Sequence, residues 1–120
     1  MAAVAASVAA GKTVVPHLVA DQVAEPKGEP LTQQEASQLQ QMMRRVVTEG
    51  SARNVLGGLA GPAVIAKTGT AEYGPKAPFK THAWMIAAQG DLAVAVFVRT
   101  GASGSRTAGP LLSTFLSGAR

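Results

Sequence analysis

The feature that most constrains this chain is an apolar run that ends in Lys-Thr-Gly-Thr near its middle. Residues 63–66 are Ala-Val-Ile-Ala, Lys67 follows directly, and a Gly-Pro pair stands on each side of the whole stretch. A short apolar run bounded by such turn signals predicts a buried strand. Because its second half is polar, we expect the strand over Ala63–Thr70 to leave the core and line a cleft.

The residue types in this polar half suit an acidic ligand. Lys67 supplies a compact positive charge with rotatable donors, and Thr68 and Thr70 supply hydroxyls that can hold a carboxylate. Gly69 has no side chain, so a backbone or a ligand can approach it closely. Alternation places Lys67 and Gly69 on one side of the strand and both threonines on the other. Both sets reach one ligand only if the strand's edge borders the site, where backbone groups can meet a peptide or an oxyanion.

Composition indicates one folded domain. The chain has 120 residues, of which 47% are hydrophobic and 15% charged, so we expect one packed core rather than disorder. It has no cysteine, which excludes a disulfide framework and a cysteine metal site. The net charge is +4, but the basic residues are dispersed, whereas nucleic-acid binding favours a clustered stripe with stacking aromatics. We therefore expect no nucleic-acid partner.

The first half of the chain predicts two helices. Met1–Ala10 reads as an apolar helix ended by Gly11, and because the chain opens inside it, we expect a piece of a longer protein. Thr13–Val19 predicts a short edge strand bent at a proline, and Asp21–Pro30 a surface connector. Thr32–Glu49 predicts the clearest helix, with a Thr-x-x-Glu capping box at its start. Its predicted core side is Ala36, Leu39, Met42, Met43, Val46 and Val47, with Arg44 and Arg45 facing water.

The second half predicts a hairpin and a closing helix. Thr81–Thr100 reads as two strands joined at Gly90, apolar on both faces and therefore covered by helices on both sides. We expect Trp84 to be a packing anchor, with a substrate platform as the alternative, and His82 to be structural. Arg106–Ser117 predicts a helix that lies on the hairpin and buries Leu111, Leu112, Phe115 and Leu116. Together these elements predict an α/β (α+β) fold with an antiparallel sheet of about three main strands.

This order of elements resembles the C-terminal part of the transpeptidase domain of class B penicillin-binding proteins. Lys67–Glu72, Lys-Thr-Gly-Thr-Ala-Glu, is similar to the family's third motif in its extended form. Residues 1–18 look like the helix and strand after its second motif, and residues 82–98 like the two strands after its third. Ala108-Gly109-Pro110 is similar to the start of its last helix. The resemblance implies that residues 1–120 are the C-terminal portion of a single domain with a β-lactamase/transpeptidase-like fold.

The same resemblance implies a serine D,D-transpeptidase that cross-links peptidoglycan stem peptides and is acylated by β-lactams. Lys67 and Thr70 would be catalytic, the first in the proton network and the second through its backbone N–H as an oxyanion donor. Thr68, Gly69 and Thr70 would form the substrate-binding part of the site. The two threonines would hold the terminal carboxylate of the donor peptide or drug, and Gly69 would keep the floor clear. No cofactor or metal is implied. The implied location is the outer face of the cytoplasmic membrane, although neither anchor nor signal is recognisable in the chain.

The chain departs from the family by lacking its other two motifs. No serine is followed at three residues by lysine, and no Ser-x-Asn occurs. We therefore expect the chain to be inactive alone and to need a missing N-terminal portion that carries both motifs. Two alternatives stay open, which are a fragment of a serine β-lactamase or β-lactam sensor, and a non-enzymatic module that pairs with a partner strand.

Overall fold

The structure, a computed structural model, describes residues 1–19, 21, 25–26 and 28–119. Within these residues the chain alternates helices with a single antiparallel sheet. The elements are α1 (Ala2–Ala10), α2 (Gln33–Thr48), α3 (Arg53–Leu56), β1 (Val64–Tyr73), β2 (Lys80–Gln89), β3 (Leu92–Val98), a π-helical turn (Gly104–Ala108) and α4 (Gly109–Gly118).

The sheet has the order β1-β2-β3, and each neighbouring pair is antiparallel. Pairing between β1 and β2 runs without a break from Val64 opposite Gln89 to Tyr73 opposite Lys80. A tight turn joins β2 to β3, and Gly90 takes a φ of 61° there, a left-handed conformation that glycine adopts at little cost. The predicted three-stranded antiparallel sheet is confirmed.

Helices cover both faces of the sheet, as the apolar strands predicted. On the face that we call the α4 face, Val64, Ala66, Met85 and Ala87 pack against Leu56 of α3 and against Leu112 and Leu116 of α4. On the other, the α1 face, Ile86 and Ile65 pack against Ala5, Val8 and Met43. Helix α2 contributes to both clusters because it lies beside β1, where Met43 reaches one face and Val47 the other.

Helix α2 begins with the predicted capping box. Thr32 accepts a hydrogen bond from the Glu35 N–H at 3.3 Å, and the Glu35 carboxylate accepts one from the Thr32 N–H at 3.0 Å. These bonds satisfy donors that a helix start otherwise leaves free. Two predictions on this helix are wrong. Met42 is 56% exposed, and Arg44 is half-buried, because its guanidinium reaches the backbone of β1.

The prediction of a strand over Thr13–Val19 is also wrong. No ladder forms there, and side chains hold the segment instead. The Val14 N–H donates to the Ser7 hydroxyl at 2.9 Å, and the Thr13 hydroxyl accepts from the Leu31 N–H at 3.1 Å. Pro16 has no N–H to give to a ladder. The connector predicted over Asp21–Pro30 lies partly outside the described residues.

Helix α4 differs from the predicted closing helix in how the chain enters it and in which of its apolar residues are buried. The chain enters it through a π-helical turn that starts before the predicted residue Arg106. Leu112 and Leu116 are buried as predicted, but Leu111 is 56% and Phe115 51% exposed. Only one stripe of α4 faces the sheet, and in the described part of the chain no element covers the stripe beside it.

Candidate active site

Strand β1 changes from buried to exposed along its length, as its sequence predicted. Val64 and Ala66 are at most 2% exposed, because helix α2 packs against β1 and both side chains belong to the core cluster of the α4 face. Lys67 and Thr70 are exposed, and Thr68 and Gly69 are half-buried. The polar half therefore leaves the core at Lys67.

The outer edge of β1 presents backbone groups of alternate residues. The Val64 carbonyl accepts a hydrogen bond from Arg44 Nη1 at 2.9 Å, and the Thr68 carbonyl accepts one from Lys67 Nζ at 2.6 Å. In an antiparallel strand, every second residue directs both its N–H and its C=O to the same side. Since the register is unbroken, Thr70 belongs to this set, and its N–H points away from β2 into the open edge.

Lys67 brings its charge to that same edge. Its Cβ lies on the α1 face by alternation, but its ammonium bends around the strand to the carbonyl of the next residue. The positive charge and the Thr70 N–H consequently belong to one edge. Sequence analysis required such a shared edge if Lys67 and the two threonines, which alternate between the faces of the strand, are to reach one ligand.

Thr68 is held by a residue that sequence reasoning missed. Its hydroxyl lies 3.0 Å from the hydroxyl of Ser51, in the loop between α2 and α3. Either group can donate. If Ser51 donates, the Thr68 proton is free for a ligand, so Ser51 sets the orientation of this hydroxyl. In the sequence, Ser51 is recognisable only as a small polar residue after Gly50. A glycine-rich connection does not indicate which strand it contacts.

Gly69 lies between two close neighbours. A Cβ built on it would stand 3.3 Å from the Trp84 Cβ on the α1 face. On the α4 face, Gly104 approaches so closely that its own Cβ would lie 3.0 Å from the Gly69 nitrogen and oxygen. The absence of side chains at both positions lets the π-helical turn pack flat on the sheet beneath the motif. The small-residue loop predicted over residues 101–105 was the only sequence signal of this contact.

Aromatic rings cover the α1 face beside the motif. The Tyr73 and His82 rings stack with centroids 4.0 Å apart, and Trp84 contacts Phe97 at 4.3 Å. His82 Nδ1 is also 2.6 Å from the Arg99 carbonyl. These contacts give His82 a structural place, and Trp84 packs against a neighbouring ring as a packing anchor does.

The cavities between the helices lie away from the motif. One of about 320 Å³ lies between α2 and α3 and is lined partly by Arg44, Arg53 and Asn54. The edge of β1 is instead an open surface, with Lys67 and Thr70 exposed to solvent. In the described part of the chain, no cluster of three or more metal-ligating side chains occurs either.

The order of elements and this edge can be compared with known families. A family model of the penicillin binding protein transpeptidase domain matches residues 1–117. The chain belongs to the penicillin-binding protein transpeptidase family. No curated protein matches it.

Penicillin-binding proteins of this family are cell-wall transpeptidases that in general interact with peptidoglycan and with β-lactams. They generally work on the outside of the cytoplasmic membrane. Among the helices described for this chain, none has the length and apolar character needed to cross a bilayer.

Proposed function

We propose that this chain forms the Lys-Thr-Gly wall of a serine D,D-transpeptidase site. In this proposal it is the C-terminal portion of one transpeptidase domain. The rest of that domain supplies the Ser-x-x-Lys and Ser-x-Asn residues, which are not in this sequence. The substrates are peptidoglycan stem peptides, and β-lactams acylate the same serine.

The reaction is an acyl transfer in two steps. The serine oxygen attacks the carbonyl of the penultimate D-alanine, its proton passes to the leaving amine, and the terminal D-alanine departs. The amine of a second stem peptide then attacks the acyl-serine, and the serine recovers a proton. A β-lactam follows the first step by opening its ring, but it has no leaving fragment that diffuses away.

The observation that carries the proposal is the shared edge of β1. Lys67 Nζ and the backbone N–H of Thr70 both belong to that edge, beside an exposed strand that an extended peptide can pair with. A backbone N–H fixed by the sheet is already oriented when charge develops on the carbonyl oxygen, so no reorganisation is needed. The nearby ammonium stabilises the same negative charge.

The carboxylate of the donor peptide would bind to the two threonine hydroxyls. The Ser51 hydroxyl lies 3.0 Å from that of Thr68, and either can donate. In this proposal Ser51 is the donor, which leaves the Thr68 proton for the ligand. Gly69 between them keeps the strand surface low. Ser51 is thus proposed as a positioning residue and does not itself touch the reacting atoms.

The decisive experiment is labelling with a fluorescent penicillin. The chain alone is expected to remain unlabelled, whereas a mixture with the portion that carries both missing motifs is expected to label covalently. Substituting Lys67→Met in the mixture should slow labelling by about 100-fold, the scale of losing one oxyanion-stabilising group. Lys76→Met, a matched change at an exposed loop lysine, should leave the rate unchanged.

Two results would contradict the proposal. One is covalent labelling of the isolated chain, which would place a nucleophile within it. The other is an assembled protein that labels equally fast with and without the Lys67 ammonium. The lifetime of the label separates the related alternative, because loss of the acyl group within seconds would indicate a β-lactamase rather than a transpeptidase.

A further inference from the structure

A buried glycine outside the motif lies directly on the backbone of the motif. Gly104, the first residue of the π-helical turn, is buried against the α4 face of the sheet. A Cβ built on it would collide with the Trp84 carbonyl oxygen and would stand 3.0 Å from both the nitrogen and the oxygen of Gly69. Its φ is not positive, so its own conformation does not require a glycine. Only the close approach to the sheet requires one.

The backbone beneath Gly104 belongs to the residue that precedes the proposed oxyanion donor. Gly69 lies opposite Trp84 and faces it across the ladder, so its N–H and C=O bond to the Trp84 backbone. The Gly69 C=O and the Thr70 N–H belong to one planar peptide unit and point in opposite directions. Fixing this carbonyl toward Trp84 therefore also fixes the direction of the Thr70 N–H at the open edge.

Hydrogen bonds within the chain hold the π-helical turn in this position. The Gly101 N–H donates to the Thr81 carbonyl at 2.9 Å, which ties the preceding loop to β2. The Ala102 N–H donates to the Thr107 hydroxyl at 3.0 Å, so this loop is also tied to the turn that carries Gly104. These partners all belong to this chain, and the contact does not depend on the portion that carries the other two motifs.

We propose that Gly104 is a positioning residue for the oxyanion site, because its contact with the Gly69 backbone holds the Thr70 N–H at the angle that acylation needs. This inference rests on the proposed function, in which that N–H stabilises the oxyanion. Gly104 itself touches neither the substrate nor the reacting atoms. A larger residue either displaces the turn or pushes on the Gly69 peptide, and the Thr70 N–H is misdirected in both cases. A small error in the position of such a donor lowers the rate of reaction without removing any group.

The test separates binding from chemistry in the assembled protein, which is the chain mixed with the portion that carries Ser-x-x-Lys and Ser-x-Asn. Stopped-flow acylation by a fluorescent penicillin gives the dissociation constant of the complex before reaction and the first-order rate constant of acylation. Gly104→Ala should lower this rate constant by about 10- to 100-fold and change the dissociation constant by less than about twofold.

Two comparisons distinguish positioning from a general loss of folding. Gly58→Ala, where a Cβ meets nothing within 4 Å, should leave both constants unchanged. A variant that only folded less well would lower the labelled fraction of the protein at an unchanged rate constant.

Thr107 provides a second pair of variants, and the chain by itself provides a second measurement. Thr107→Val removes the acceptor for the Ala102 N–H and should lower the same rate constant by a smaller factor, whereas Thr107→Ser keeps the hydroxyl and should restore it. In the isolated chain, residual dipolar couplings should show that Gly104→Ala reorients the Thr70 N–H. The N–H of Val96 in β3 should keep its direction.

Two results would overturn this inference while the proposed function stands. One is an assembled Gly104→Ala protein that acylates with the wild-type rate constant. The other is a Gly104→Ala chain whose Thr70 coupling equals that of the wild type. A wild-type mixture that never labels would overturn the proposed function, and this role of Gly104 with it.

Discussion

The two outer strands of the sheet present edges of opposite character. The edge of β1 is polar and partly filled, since Arg44 and Lys67 donate to its carbonyls and Ser51 holds Thr68. The edge of β3 is apolar, and in the described residues no charged side chain is bonded across residues 93–97. Both strands pair with β2 in the same antiparallel manner, so what surrounds each edge makes the difference.

This difference determines the kind of ligand each edge suits. Side-chain donors along β1 compete with a complete strand for its carbonyls, but they leave the Thr70 N–H and a positive charge for a small acidic ligand. The bare edge of β3 offers only backbone groups and apolar neighbours, which another strand satisfies best. The two edges of one sheet therefore differ in chemistry although both strands pair with β2 in the same way.

The largest loss of stability is expected from a substitution in the core on which both edge strands pack. Leu112→Ala removes a fully buried side chain that packs on the sheet and should lower the free energy of unfolding by about 2–5 kcal/mol. Its exposed neighbour provides the control, since Leu111→Ala should change the monomer's stability by less than about 0.5 kcal/mol. Urea denaturation measures both, and amide exchange should rise at β1 and β3 together. Faster exchange at one edge alone would show that the edges do not share this support.

Gly104→Ala is expected to lower the free energy of unfolding by less than Leu112→Ala does, and to raise amide exchange near β1 only. The new Cβ would stand 2.3 Å from the Trp84 carbonyl oxygen and 3.0 Å from the Gly69 backbone, so the turn must move away. Overpacking of this kind costs about 1–3 kcal/mol. Gly58→Ala is the control, because a Cβ there meets nothing within 4 Å. The comparison of edges would be weakened if amides near Gly69 kept their protection while those of β3 lost theirs.

The hydrogen bond from α2 to the β1 edge is expected to contribute about 1 kcal/mol. Arg44→Met keeps much of the apolar stem but leaves the Val64 carbonyl without its charged donor, in a residue that is only 2% exposed. Arg45→Met removes the same charge from the neighbouring, exposed position and should be nearly neutral. Equal stabilities for the two variants would mean that water replaces the guanidinium, and that this edge is no better supported than that of β3.

Sequence reasoning recovered what periodicity and local chemistry determine. The alternation of the hairpin and the apolar start of β1 predicted the sheet, and Thr32 with Glu35 predicted where α2 begins. It failed where a contact joins distant residues. Nothing near Arg44 in sequence indicates that its side chain meets Val64, and the exposed half of α4 depends on what packs beside it.

The candidate site was predicted in its residues but not in its support. The motif itself suggested Lys67, Thr68, Gly69 and Thr70, and the need for an edge followed from simple alternation. The structure added Ser51 and Gly104, which act on the motif from other segments. Their roles depend on tertiary approach, and a serine or a glycine in a loop is too common to reveal it.

The smallest predicted effect is a pH dependence at the start of the helix that supports the β1 edge. Hydrogen bonds from the side chain and backbone of Thr32 lower the pKa of Glu35 below its ordinary value of 4.5. A carboxyl whose pKa is lower in the folded chain stabilises the fold above the unfolded pKa, and this contribution disappears as the pH falls through the folded value. Unfolding measured from pH 7 down to about pH 3 should therefore show a loss of stability below about pH 4.5 that Glu35→Gln reduces. Glu29→Gln, which removes an exposed carboxylate outside the capping box, is the matched control. If Glu35→Gln left the pH profile unchanged, the capping box would not anchor α2 through its charge, and the support of Arg44 for β1 would have to come from packing along the helix.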